Sequence, residues 1–568
     1  MTPSDKDIEW ELEEGIPQFE DPFIQKYLNG REALIEQEHK KRHDATFYKS
    51  MSTVAQEACH IVSVIRNKEL SQVWTKGEDW PDDELLYPGV MFTVARKRME
   101  QTKLWKIVER MPKGSLLHAH LDAMFDLDFL IDQAFETPGI HMSAPAPLLT
   151  KQDFEIAPFS FQYSSTPSDD KESIWAKEYQ ASSLINIQGA AATFPNGGED
   201  GFRKWLKGRM MLSAEHSYYH HHGVNAIWEI FQRTFPIIGS ILFYEPIFRS
   251  CLRRMLGELA RDGIRYVDFR TAFVFEYRQQ GVDTPEKDYI EFFRVFKDEI
   301  EKFKATEEGS RFYGARMIWT TLRFFPNKEI IENMKQCIIA KQAYPDMICG
   351  FDVVGQEDKG RPLADLIPVL FWFRKVCAEE AVEIPFFFHA GECLGDGDET
   401  DENLYDAILL GTRRIGHGYS LFKHPLLIDL VKEKKILIEC CPISNEILRL
   451  SSTIKHHSLP ALLSRGVSVS LNNDDPAVLG TGKNGLTHDF WQVLQGLENM
   501  GLSGLATMAE NSVRWSCFED QKATEWQADI RSGIMGSGMK AKRLQEWYED
   551  FEKFCQWVVL EFADEVED

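Results

Sequence analysis

Eight short apolar runs recur along the chain, most of them followed by a segment long enough for a helix, and this alternation constrains the fold more than any other feature. The runs are SLLHAHLD (115–122), IRYVDFR (264–270), ARMIWTTLR (315–323), ICGFDVVG (348–355), IPFFFHAGE (384–392), RIGHG (414–418), ILIECCP (436–442) and VSVSLNNDD (467–475). Most are continuously apolar rather than alternating, as strands buried on both faces are. Intervening stretches such as 249–262, 326–343, 360–380 and 424–434 are helix-sized. Eight strand–helix units in succession predict an α/β fold, a (β/α)8 TIM barrel. The rhythm breaks once, between the first and second runs. There residues 140–200 are rich in Ser, Pro, Gly and Gln and show little periodicity. Residues 133–225 therefore read as a long insertion after the first barrel strand, serving as a lid, a partner surface or a partly disordered loop.

The barrel is flanked on both sides. Residues 1–24 read as an acidic flexible tail. In the extension that follows (25–110), apolar residues at three- and four-residue spacing around Ile35, Phe47, Val54, Ile61 and Val64 predict helices. This extension is either a cap on the barrel or the arm of a homodimer. The barrel itself spans 111–520, and 521–568 reads as a C-terminal helical segment.

Charge narrows the partners. With 64 Lys+Arg against 89 Asp+Glu, the net charge of −25 repels a phosphate backbone and excludes general nucleic-acid binding. No apolar run reaches the roughly 18 residues that a membrane helix needs. The acidic N-terminus has no apolar signal core. The ten cysteines are scattered without a CxxC pair, and no Asn-x-Ser/Thr sequon occurs. A cytoplasmic protein is expected.

Chemistry-bearing residues gather at the C-terminal ends of the runs: His118 and His120 on the first, His389 and Glu392 on the fifth, His417 on the sixth, Asp474 and Asp475 on the eighth. In a barrel these ends converge on one face. Residues i and i+2 of a strand share a side, so His118 and His120 aim at one centre. Three imidazoles and a carboxylate suit zinc, with one position left for water. Glu392 is placed to give a proton to a ring nitrogen, and His417, between two glycines, to orient water or act as base. Asp475 is free to accept a hydrogen bond from substrate while Asp474 takes the metal. His216, His220, His221 and His222 also cluster, but without cysteine or carboxylate partners at regular spacing they read as loop histidines.

The segments MPKGSLLHAHLD, FFFHAGE, RIGHGYSL, CPISN and LNNDDP together resemble the adenosine/AMP deaminase family of metal-dependent hydrolases over about residues 111–520. The extension, the insertion, AIWEIFQRTFPIIGSILFYEPIFRS and GFDVVGQED are most similar to its adenosine deaminase-related growth factor (adenosine deaminase 2-like) branch. The resemblance implies one Zn2+ per chain on His118, His120, His389 and Asp474. It implies Glu392 as proton donor to purine N1, His417 beside the activated water, Asp475 facing N7 and the Gly355 amide facing N3. Asp122 would stand near the ribose hydroxyls, with Trp228 and Glu229 on the ribose-side wall. The implied reaction is hydrolytic deamination of adenosine to inosine and ammonia, by a zinc-activated water attacking C6. AMP or an N6-substituted adenine nucleoside is the alternative substrate, and a catalytically silent scaffold on the same fold is the alternative of another class. A phosphate would require basic groups near the sugar, for which Arg323 and Lys423 are the candidates. The branch is typically secreted and commonly carries a disulfide in its insertion, whereas residues 133–225 hold no cysteine.

Overall fold

A computed structural model describes residues 10–74, 87–166, 173–218 and 222–567. Eight parallel strands form the centre: β1 (Gly114–His120), β5 (Ile264–Ala272), β6 (Gly314–Leu322), β7 (Ile348–Val354), β8 (His389–Ala390), β9 (Arg414–His417), β10 (Leu437–Cys440) and β11 (Val469–Leu471). They pair as β1-β5-β6-β7 and β11-β10-β9-β8. Single bridges join the two halves, Ala119 to Asp474 and Phe351 to Phe386, and close a TIM barrel. Burial of every residue of β7, β9 and β10 explains why these runs carry no polar alternation.

Two runs shorten on folding. In 384–392, regular pairing is confined to His389–Ala390 because Pro385 has no N–H to give and Phe388 N donates to the Thr412 hydroxyl at 3.1 Å. In 467–475 the strand stops at Leu471, and Asp474 adopts a left-handed φ of 57°.

The insertion is ordered where it is described. It holds a three-stranded antiparallel sheet of β2 (Ile140–Ser143), β3 (Ser160–Tyr163) and β4 (Ile185–Asn186), in the order β3-β2-β4. An aromatic cluster of Phe154, Trp175, Phe194, Phe202 and Trp205 packs beside it. The N-terminal extension behaves in two ways. Helix Thr53–Gln72 packs on the C-terminal helix Met539–Phe562, and Phe47 stacks on Tyr548 with centroids 5.8 Å apart. Helix Pro22–His39 buries no residue at all. All ten cysteines are free, and no helix among the described residues is long and apolar enough to cross a membrane.

Candidate active site

The strand ends bring the predicted ligands together. His118 Nε2 lies 3.2 Å and His120 Nε2 3.4 Å from Asp474 Oδ1. One nitrogen each from His118, His120 and His389 falls within 4.8 Å of the others, and a second such group joins His118, His417, Cys441 and Asp474. His118 Nε2 and Asp474 Oδ1 are buried with no hydrogen-bond partner. Buried polar atoms are rarely left so. Three imidazoles and a carboxylate converging on one point, with His118 Nε2 and Asp474 Oδ1 unsatisfied, fit a divalent cation of the zinc type.

Two of the imidazoles, His118 and His389, are aimed from behind. His118 Nδ1 lies 2.8 Å from Glu439, and His389 Nδ1 lies 2.6 Å from Asp352, which also accepts His389 N at 2.9 Å. Arg270 ties the two acids together, donating to Asp352 at 3.1 Å and to Glu439 at 2.6 Å. A carboxylate on Nδ1 turns Nε2 toward the centre and raises its basicity. Space is as tightly set as charge. A Cβ on Gly416 would meet His118 Cε1 at 2.8 Å, so only glycine lets β9 pass the ring.

Electrostatics separate the carboxyl groups. Burial works against the charge of Asp474, yet His417, His118 and His120 beside it hold it well below the usual carboxylate range. Burial pushes Glu392 well up, with Asp474 and Glu357 adding repulsion. Asp475 is pushed up by burial and by Asp474 and Asp122, and burial alone raises Asp122 to about 7. Burial keeps the His417 imidazole neutral. Its Nε2 lies 3.5 Å from Glu392 and 3.7 Å from Asp474. His417 and Asp474 both sit at positive φ, 61° and 57°, strain of a kind concentrated at functional sites. Two carboxyl groups pushed toward the protonated form, one carboxylate pulled toward ionisation and one imidazole pushed toward neutrality can together donate, bind and accept protons around a single point.

A cavity of about 470 Å³ opens over this point. Of the residues named from sequence, Asp122, Trp228, Gly355, Glu392, His417 and Asp475 line it. Glu229 does not. On helix Gly223–Phe231, Trp228 faces the cavity, and the next residue is turned by about 100°. Glu229 is accordingly 60% exposed and pairs with Lys359 at 3.2 Å. The two candidates for a phosphate also lie elsewhere. Arg323 is fully buried and donates to the Val353 and His389 carbonyls, and Lys423 donates to the Gly395 carbonyl at 2.6 Å. Among the described residues, the basic side chain other than histidine that does line the cavity is Arg278, and Glu276 accepts from it at 2.6 Å. Strand β3 of the insertion supplies Ser160, Phe161 and Gln162 to the far wall. Of the loop histidines, His216 Nδ1 accepts from Ser213 N at 3.2 Å, and His220 and His221 fall outside the described residues.

Sequence reasoning missed the residues behind the site: Asp352, Glu439, Arg270, Ser444, which donates to Asp474 at 2.7 Å, and Glu357, which accepts from Glu392 N at 2.8 Å. A signal existed for three of them. Asp352, Glu439 and Arg270 are charges inside runs buried on both faces, where an unpaired charge is prohibitive.

A family profile described as "Adenosine deaminase" matches residues 210–532. An adenosine deaminase of Lutzomyia longipalpis is 31% identical, covering 77% of this chain and 81% of its own length. Adenosine deaminase 2-A of Danio rerio is 29% identical over 77% of this chain and 82% of its own. A solved amidohydrolase of Burkholderia ambifaria with bound zinc aligns with 79% of this chain and 94% of its own at 14% identity, with a TM-score of 0.48.

Proposed function

The chain belongs to the adenosine deaminase family, and from that premise we propose that it hydrolyses adenosine to inosine and ammonia at a centre holding one zinc ion. The observation that carries this reading is the convergence of three imidazoles and a carboxylate from three strand ends, with His118 Nε2 and Asp474 Oδ1 buried and unpartnered between them. His118, His120, His389 and Asp474 would hold the ion. When bound, zinc supplies Lewis acidity and brings the pKa of water toward about 7.

The chain's own residues do the rest. Glu392, kept protonated by burial beside Asp474, donates to purine N1 and makes C6 electrophilic. His417 is neutral and stands within 3.7 Å of both Glu392 and Asp474. It orients the attacking water and takes its proton. Asp475, whose carboxyl is pushed toward the protonated form by burial first and by Asp474 and Asp122, donates to N7 rather than accepting, because N7 carries no proton to give. Gly355, at φ 107°, presents its N–H to N3 with no Cβ over the ring. Asp122 meets the ribose hydroxyls, and Trp228 closes the sugar side. The amino group leaves as ammonia, so water and adenosine balance inosine and ammonia.

The pairing of Arg278 with Glu276 favours a nucleoside over a nucleotide, because among the described residues the cavity then offers a 5′-phosphate no free cation. Steady-state kinetics with adenosine and AMP test this, and a higher kcat/KM for AMP overturns it. Absence of both zinc and ammonia release from the wild type with any adenine nucleoside would leave only the scaffold reading.

A further inference from the structure

At the end of the barrel away from the catalytic cavity, a second cavity of about 330 Å³ lies between the segments that lead into β8, β9 and β10 and the helix Ala523–Ser532. Chain direction fixes its place. Pro385 and Phe386 precede β8, Arg413 directly precedes β9, and Lys435 lies just before β10. It therefore opens at the N-terminal ends of the strands, whereas barrel catalysis is built at the C-terminal ends.

Its charge runs against that of the chain. On a protein of net charge −25, the walls carry Arg374, Arg413, Lys434 and Lys435 against the single carboxylate of Glu383. Glu383 is half exposed and approaches only Arg413, at 3.7 Å. Among the described residues, Arg374, Lys434 and Lys435 form no ion pair. The two guanidiniums are held in place by rings and carbonyls. Arg413 lies 5.0 Å from the Trp526 ring centre and donates to the Gln521 carbonyl. Arg374 lies 4.8 Å from the Phe386 ring centre and donates to the Leu410 carbonyl. A guanidinium has five N–H donors, so these carbonyls leave most of the capacity unused. Burial works against both charges and pulls both pKa values down. Four cations facing one half-exposed carboxylate, two of them pre-oriented and partly desolvated, are stabilised by an anion.

We propose that this cavity binds a small molecule of the phosphate class, held by Arg374, Arg413, Lys434 and Lys435. The volume, at the lower end of the roughly 300–1,000 Å³ usual for ligand sites, admits an inorganic pyrophosphate or a sugar phosphate and not a polymer. Nothing in the proposal depends on the deamination reading.

The test is calorimetric titration of the full chain at fixed ionic strength with inorganic pyrophosphate in one arm and ribose 5-phosphate in the other. The arms separate a free from an esterified phosphate. Lys434 is exposed and Lys435 half-buried, neither in the core, so Lys434→Ala/Lys435→Ala keeps the fold, which circular dichroism checks. Saturable binding of either probe to the wild type, weakened about tenfold or more in the double variant, supports the site. Arg374→Ala provides the second, independent loss. No saturable binding to the wild type, or equal affinity in wild type and double variant, overturns it.

Discussion

Glu392 shows how a single residue acquires its chemistry from its surroundings. At 4% exposure, beside the ionised Asp474 and the Glu357 carboxyl, its proton is held on by burial first and repulsion second. Glu392→Gln keeps the shape and removes the acid. It should lower kcat by about 10²–10⁴-fold with zinc content unchanged, as read by ammonia release and metal analysis; full activity in this variant would discard the assigned role. Asp352 acts through His389, not on substrate. Asp352→Asn removes the carboxylate that turns Nε2 inward, so zinc affinity should fall about 10–100-fold. Competition against a chelator measures it, and an unchanged affinity refutes the positioning.

Elements transmit such requirements over longer distances. Glu69, on helix Thr53–Gln72, accepts the free N–H groups of Lys103 at 2.6 Å and Leu104 at 3.4 Å, at the start of helix Lys103–Arg110. Burial nonetheless pushes this carboxyl up to about 7. The folded chain thus binds the proton more tightly than the unfolded one. Ionisation costs stability, nothing well below about pH 4.5 and the full amount above about pH 7. Glu69→Gln keeps an acceptor and removes the charge. Its Tm relative to wild type should climb as pH rises from about 5 to about 8, whereas a constant difference across that range would contradict the burial effect. The insertion carries the complementary lesson. Its sequence shows little periodicity because the strands are only two to four residues long, yet β3 reaches the catalytic cavity.

The whole molecule adds one expectation that no single element states. Helix Pro22–His39 projects with Phe23, Tyr27 and Leu34 on one side, 81%, 68% and 68% exposed. Apolar side chains at this spacing on a helix that buries nothing motivate the homodimer. Light scattering should give twice the chain mass for the full protein and the single mass after deletion of residues 1–41, with deamination retained. A monomeric full chain would rule out the arm.

Much of the fold and most of the site were legible in the sequence. Strands buried on both faces leave continuous apolar runs, eight of them in order admit few architectures, and a barrel must gather its strand ends. His118, His120, His389, Glu392, His417, Asp474 and Asp475 follow from that logic alone, and so does the convergence of residues hundreds of positions apart. Tertiary structure decided what depends on angle and neighbour. It turned Glu229 out to Lys359 and buried Arg323 under carbonyls. It placed Asp352 and Glu439 behind two of the imidazoles with Arg270 between them, and gathered four cations at the barrel's other end. The physical reason is that strand position follows from local apolar pattern, whereas hydrogen bonds and ion pairs join residues whose distance in sequence carries no information about their distance in space.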